Sequence, residues 1–202
     1  MSVNGTRRAR ILERRHWIFD MDGTLTHAVH DFDEIRARLG LPPGEPILEA
    51  LARLPAREAQ PLWEQLDAIE VELARKATPQ AGVDTLLATL HARGCKLGIV
   101  TRNSFANVRE TLGACGLQQF FPEPHIKDRD SGAPKPQPDA LLELIHHWQA
   151  ARDDVVMVGD FLYDLQAGRA AGVATVYVDY ARTAQWSDHA DISVTQLDQL
   201  LG

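Results

Sequence analysis

The residues with the most chemical content begin at Asp20. A short apolar run, Trp17 to Phe19, ends there, and a second carboxylate, Asp22, follows with Gly23 directly after it. Such a run reads as a buried strand, and the glycine lets the chain turn at its end. Two carboxylates beyond a strand end can share one Mg²⁺ and still leave an oxygen free to attack an electrophile. Alone, Asp-x-Asp is a weak signal, because sugar transferases and structural ion sites carry it too. Further groups suited to phosphate follow in order. Leu97-Gly-Ile-Val100 is an apolar run ending at Thr101, with Arg102 and Asn103 next. Lys135 stands among prolines in Ala133-Pro-Lys-Pro-Gln-Pro138. Val155 to Val158 is another apolar run, ending in Gly159-Asp160, with Asp164 shortly beyond.

The elements that must position these groups alternate. An amphipathic helix carries Val83, Leu86, Leu87 and Leu90 and stops at Gly94, and the Leu97 strand follows. A helix near Phe105 to Cys115 comes next, then a short strand around His125-Ile126 and a helix from Asp139 to Trp148. After the Val155 strand come a helix near Tyr163 to Ala171 and a strand from Thr175 to Val178. This alternation predicts an α/β fold with a doubly wound parallel sheet, whose strand ends converge on one crevice. Residues 27–78 break the pattern. Leu62, Leu66, Ile69 and Leu73 share one helical face, Ile47, Leu51 and Leu54 another, and Asp33 is the expected cap of a helix from Glu34 to Leu39 that ends at Gly40. Residues 1–26 and 79–202 are therefore read as the α/β core, with 27–78 as a small inserted helical unit.

The set Asp20-Met-Asp-Gly-Thr24, Thr101, Lys135 and Gly159-Asp-Phe-Leu-Tyr-Asp164 resembles the haloacid dehalogenase superfamily of phosphohydrolases. The likeness is greatest to the branch holding phosphoglycolate phosphatase and β-phosphoglucomutase, whose members carry a helical cap between the first and second motifs. The resemblance implies a Rossmann-like core, an Mg²⁺ cofactor and a phosphoric monoester hydrolase. In that scheme Asp20 is the nucleophile that forms an aspartyl-phosphate, and Asp22 is the general acid and base. Asp20, Asp160 and the backbone carbonyl of Asp22 hold Mg²⁺, and Asp164 orients the site from behind. Thr101 and Lys135 bind the phosphoryl group, and Arg102 and Asn103 are further candidate substrate contacts. A lysine between prolines would ordinarily be solvated; its place in the motif order gives it the catalytic role. The chain departs from the family's pattern at His27, where many relatives are acidic, and at Phe161, where many have a small hydroxyl residue.

Composition narrows the rest. A net charge of −7 argues against a nucleic-acid partner, and no apolar stretch approaches a membrane span. No apolar signal region opens the chain. Arg7, Arg8, Arg10, Arg14 and Arg15 crowd the start and read as a solvated lead-in to the first strand. Cys95 and Cys115 are isolated and read as buried thiols in a reducing cytoplasm. The pairs His27/His30 and His146/His147 lack a metal-site signature and read as non-ligands. The expected partner is a small phosphorylated metabolite, bound by a monomer or weak dimer. Two other readings stand beside the phosphatase. A phosphomutase of the β-phosphoglucomutase type would hold a second phosphate under the cap; Arg36, Arg38, Arg53 and Arg57 are candidates to serve either enzyme, or are simply solvated. A receiver-like phosphoacceptor module would place its acidic pair before the Thr and Lys, whereas here Asp160 follows Lys135.

Overall fold

The computed structural model describes residues 3–28 and 31–201. Its strands are β1 (His16–Phe19), β2 (Lys96–Val100), β3 (Ile126–Lys127), β4 (Val155–Gly159), β5 (Ala174–Val178) and β6 (Ile192–Val194). They form one sheet in the order β3-β2-β1-β4-β5-β6, and every pairing is parallel. The chain winds outward from β1 in both directions, so the sheet has a switch point beside β1, where crevices form at the carboxyl ends of strands.

Side chains alternate across the sheet as the strand period requires. Trp17 and Phe19 of β1 join one apolar cluster, with Val156, Val158 and Val176, while Ile18, Val155 and Met157 join the other. Helices α5 (Val83–Ala92) and α6 (Phe105–Cys115) cover the first face, and α7 (Asp139–Trp148) and α8 (Leu162–Ala171) cover the second. This is the doubly wound α/β arrangement expected from the alternation.

The N-terminal basic segment differs from the expected lead-in. Val3–Leu12 is a helix, α1, and Ile11 sits in the first cluster. Arg14 reaches further and donates to the Val155 carbonyl at 2.6 Å. Arginine supports helix as well as solvated coil, and docking of Ile11 decides between them. β6 also had no expectation; it is a three-residue edge strand with Ser193 at its centre.

Helices α2 (Phe32–Leu39), α3 (Ile47–Arg53) and α4 (Ala56–Ala74) pack around their own cluster of Ile35, Leu39, Ile47, Leu51, Leu66 and Ile69. The cap of α2 is Asp31 rather than Asp33: its carboxylate accepts from the backbone N–H groups of Asp33 and Glu34, both at 3.0 Å. Asp33 occupies the first turn, where a negative charge also suits the helix dipole. The chain leaves the sheet and returns side by side, with His27 N–H donating to Thr78 O at 3.0 Å and Gln80 N–H to Leu25 O at 2.9 Å. Among the described residues, no helix is long and apolar enough to cross a membrane. Cys95 is buried and Cys115 half-buried; both are free thiols, and burial pushes both upward in pKa.

Candidate active site

Asp20, Thr101 and Asp160 each follow the last residue of a strand, β1, β2 and β4 in turn. Because those strands are neighbours in parallel register, the three side chains open onto one crevice. A cavity of about 470 Å³ lies there, and Asp20, Asp22, Thr101, Arg102, Asn103, Lys135, Asp160 and Asp164 all line it. Every sequence-derived site residue is thus brought to one place.

Lys135 is its structural centre. Its ammonium donates to Asp20 Oδ1 and Asp164 Oδ1, each at 2.6 Å, and to the Val100 carbonyl at 2.8 Å. Unlike an ordinary proline-flanked loop lysine, Lys135 is only 5% exposed. A buried ammonium needs all its donors paired, and these three acceptors do so. Burial pulls its pKa down, but Asp164 and Asp20 outweigh burial and hold it above the ordinary lysine range. Asp164 also accepts from the Phe161 N–H at 3.1 Å, at the start of α8. Its carboxylate is thereby committed to positioning Lys135 and the Asp160–Phe161 turn.

Asp160 is held from the opposite side. Thr24 donates its hydroxyl to Asp160 Oδ1 at 2.8 Å, and Tyr180 donates to the Thr24 carbonyl at 2.9 Å. Gly23 makes the approach possible. It has φ +84°, and a Cβ there would lie 2.3 Å from Asp160 Oδ2. The motif contains Thr24, but only the fold reveals its contact. Burial and the negative charges of Asp20 and Asp164 push the Asp160 carboxyl upward, and burial does the same to Asp164.

Asp22 is half-buried and accepts from the Asn103 amide. Asn103 is itself fixed: its N–H donates to Thr101 Oγ1 at 3.2 Å and its carbonyl accepts from Arg129 N–H at 2.9 Å. The three helices α2–α4 close the cavity through Phe32, Ile35, Ile47, Leu66 and Glu70. Glu70 has no sequence signal beyond its place on α4. It is buried, pairs with Arg129, and its carboxyl is pushed up to about 7 by burial against the opposing effect of Arg129.

Of the four cap arginines, candidates for substrate contact or for plain solvation, Arg36 lines the cavity. Arg38, Arg53 and Arg57 are exposed, and Arg53 pairs with Glu45. His27, His146 and His147 are exposed, and His30 lies outside the described residues. Among the described residues, the acidic group that could hold a cation is Asp20, Asp160 and Asp164, with one ligand atom of each within 4.8 Å of the others, and no described histidine belongs to it.

A family profile described as haloacid dehalogenase-like hydrolase matches residues 27–178. The N-acetylmuramic acid 6-phosphate phosphatase of Pseudomonas aeruginosa is 30% identical over 91% of this chain and 92% of its own. A phosphoglycolate phosphatase of Chromobacterium violaceum is 30% identical over 90% of this chain and 92% of its own. Among solved structures, a hydrolase from Pseudomonas syringae aligns with TM-score 0.78 and 23% identity, covering 93% of this chain and 96% of that one.

Proposed function

Because the chain belongs to the haloacid dehalogenase-like hydrolase family, we propose that it is an Mg²⁺-dependent phosphatase acting on a small phosphomonoester through an aspartyl-phosphate on Asp20. One observation carries the reading. Lys135 ties Asp20 to Asp164 at 2.6 Å on each side, in the lining of a cavity where Asp22 is held separately by Asn103. A nucleophile, a charge to receive a phosphoryl oxygen and a second carboxylate therefore face one space.

The donor set fits a hard divalent cation. Carboxylate oxygens gather within 4.8 Å, and burial together with their mutual repulsion raises Asp160, a cost that a cation among them offsets. Asp20, Asp160 and the Asp22 carbonyl would hold it, while Asp164 is occupied by Lys135. When bound, Mg²⁺ supplies charge neutralisation between Asp20 and the incoming phosphate. The protein's own groups do the rest. Asp20 attacks phosphorus as the ester oxygen leaves, and Asp22 gives that oxygen a proton. Asp22 then takes a proton from water, which attacks the aspartyl-phosphate and releases phosphate. Lys135 and Thr101 bear the negative charge of the phosphoryl oxygens.

We further propose residues 1–26 and 79–202 as the catalytic core and 27–78 as the cap, supported by the paired exit and return of the chain at Thr26 and Pro79. The phosphatase reading includes a cytoplasmic setting, supported by two free thiols, and a monomer or weak dimer. A mutase needs a cationic site for a second phosphate. Among the described cap arginines only Arg36 reaches the cavity, and Asp33 already pairs with it at 2.5 Å. The receiver-like reading gives way to the hydrolase family. The test is phosphate release with Mg²⁺ from a panel of phosphomonoesters including β-glucose 1-phosphate, with Asp20→Asn as control. Free phosphate from the wild type and none from the variant is expected. Isomerised sugar with little phosphate, or near-wild-type turnover by Asp20→Asn, would overturn the reading.

A further inference from the structure

Resting on the phosphatase reading, we propose that the alcohol released at this site is apolar, an aryl or alkyl group without a second anionic charge. Two independent observations lead there.

The first is where apolar surface is left open. Among the described residues, two large hydrophobic side chains are exposed, Phe32 at 58% and Phe161 at 48%, and both line this one cavity. Large apolar side chains left exposed in the lining of one cavity mark a contact site. Phe32 opens α2 on the cap side, and Phe161 directly follows Asp160 on the core side. Phe161 stands edge-on to Tyr163 and to Trp186, at ring-centroid distances of 5.1 and 5.9 Å. It is thus a braced wall beside the reaction centre. Ile35, Ile47 and Leu66 extend the same lining.

The second is the charge of the lining. Its cations are Lys135, Arg36 and Arg102, and each has a carboxylate partner, with only the buried Arg36 Nε–H left unpaired among the described cationic lining groups. Lys135 is committed to Asp20 and Asp164. Arg36 pairs with Asp33 at 2.5 Å and donates to the Glu45 carbonyl at 3.2 Å. Arg102 pairs with Glu49 at 2.5 Å and lies over the Tyr163 ring, 5.6 Å from its centroid. A carboxylate or second phosphate on the leaving group would have to displace one of these paired carboxylates, and an apolar group would not.

The test is initial-rate kinetics of the full chain with saturating Mg²⁺ on a matched pair, 2-phenylethyl phosphate and 2-(4-carboxyphenyl)ethyl phosphate, with 2-phosphoglycolate as a small anionic comparison. The pair breaks the same bond and differs in one carboxylate. We expect kcat/KM to favour the neutral member by roughly 10–100-fold, the range open to a pocket that mismatches one group. Phe161→Ser and Phe32→Ser, both at exposed positions that leave the packed cores untouched, should each cut the 2-phenylethyl phosphate advantage over 2-phosphoglycolate by about tenfold. Equal or greater kcat/KM for the carboxylated member, or for 2-phosphoglycolate, would overturn this inference and leave the phosphatase reading standing. An advantage that neither Phe variant alters would overturn the assignment to this wall. Silence of the wild type on every phosphomonoester would overturn both readings together.

Discussion

Replacing Lys135 by Met removes one charge from the centre of the site while nearly preserving volume. In the wild type its ammonium meets Asp20 and Asp164, each at 2.6 Å, with side-chain exposures of 4% for Lys135, 13% for Asp20 and 3% for Asp164. Breaking a buried pair leaves an uncompensated charge and costs about 3–5 kcal/mol. For a chain of 202 residues, each kcal/mol is worth about 2–4 °C in Tm, so Tm should fall by roughly 6–20 °C. The measurement is urea and thermal unfolding in EDTA, so that no added cation replaces the ammonium. Turnover should fall by roughly 10²–10³, the scale of one preorganised charge at a developing oxyanion. The double variant Lys135→Met/Asp164→Asn separates the two effects. It should regain part of the lost stability, because the more deeply buried of the two orphaned carboxylates is gone, and regain none of the activity. Contact between the two sites requires non-additivity in that cycle. A single-variant loss under about 1 kcal/mol, or strict additivity, would refute the buried-strut reasoning.

Asp160→Ala should raise the Mg²⁺ concentration for half-maximal turnover more than it reorders substrates, and EDTA should silence the wild type; full activity in EDTA would end the metal assignment. Glu70 gives a pH signature. Its carboxyl is raised from 4.5 to about 7 in the folded state, so the native chain binds more protons than the unfolded one between those values. Stability in EDTA should therefore fall as pH rises through that window, by about 3 kcal/mol in all. Glu70→Gln should remove that share of the fall, and urea midpoints between pH 5 and 8 that fall equally in both proteins would contradict it. Arg53→Glu and Arg57→Glu, on the exposed side of the cap, should change kcat/KM by no more than about twofold, as surface substitutions do; a tenfold loss would return a substrate role to them.

Strand ends were legible in the sequence because each apolar run stops abruptly at a polar residue. That pattern placed Asp20, Thr101 and Asp160, and strict alternation with helices supplied the parallel order that brings them together. Helix α6 runs from Phe105 to Cys115 as its pattern implies, with Ser104 accepting from Asn107 N–H and Gly116 left-handed at its end. Local chemistry of this kind acts over a few residues and can be read there. Elsewhere the decision was made at long range. α1 has a basic sequence with little apolar face, and Ile11 becomes buried only against the finished core. Asp31 and Asp33 are both competent caps for α2, and backbone geometry selects Asp31. Burial of Lys135 contradicts its proline-flanked sequence context, because three acceptors from distant segments converge on its ammonium. The same holds for the cap. Its helices were visible as apolar faces, but the pairing of Arg102 with Glu49, the burial of Glu70 against Arg129 and the exposure of Phe32 and Phe161 depend on which surfaces meet across the crevice. Periodicity and turn residues assign the elements and the reacting groups; desolvation and charge pairing, which sum over the whole folded surface, decide what the site will accept.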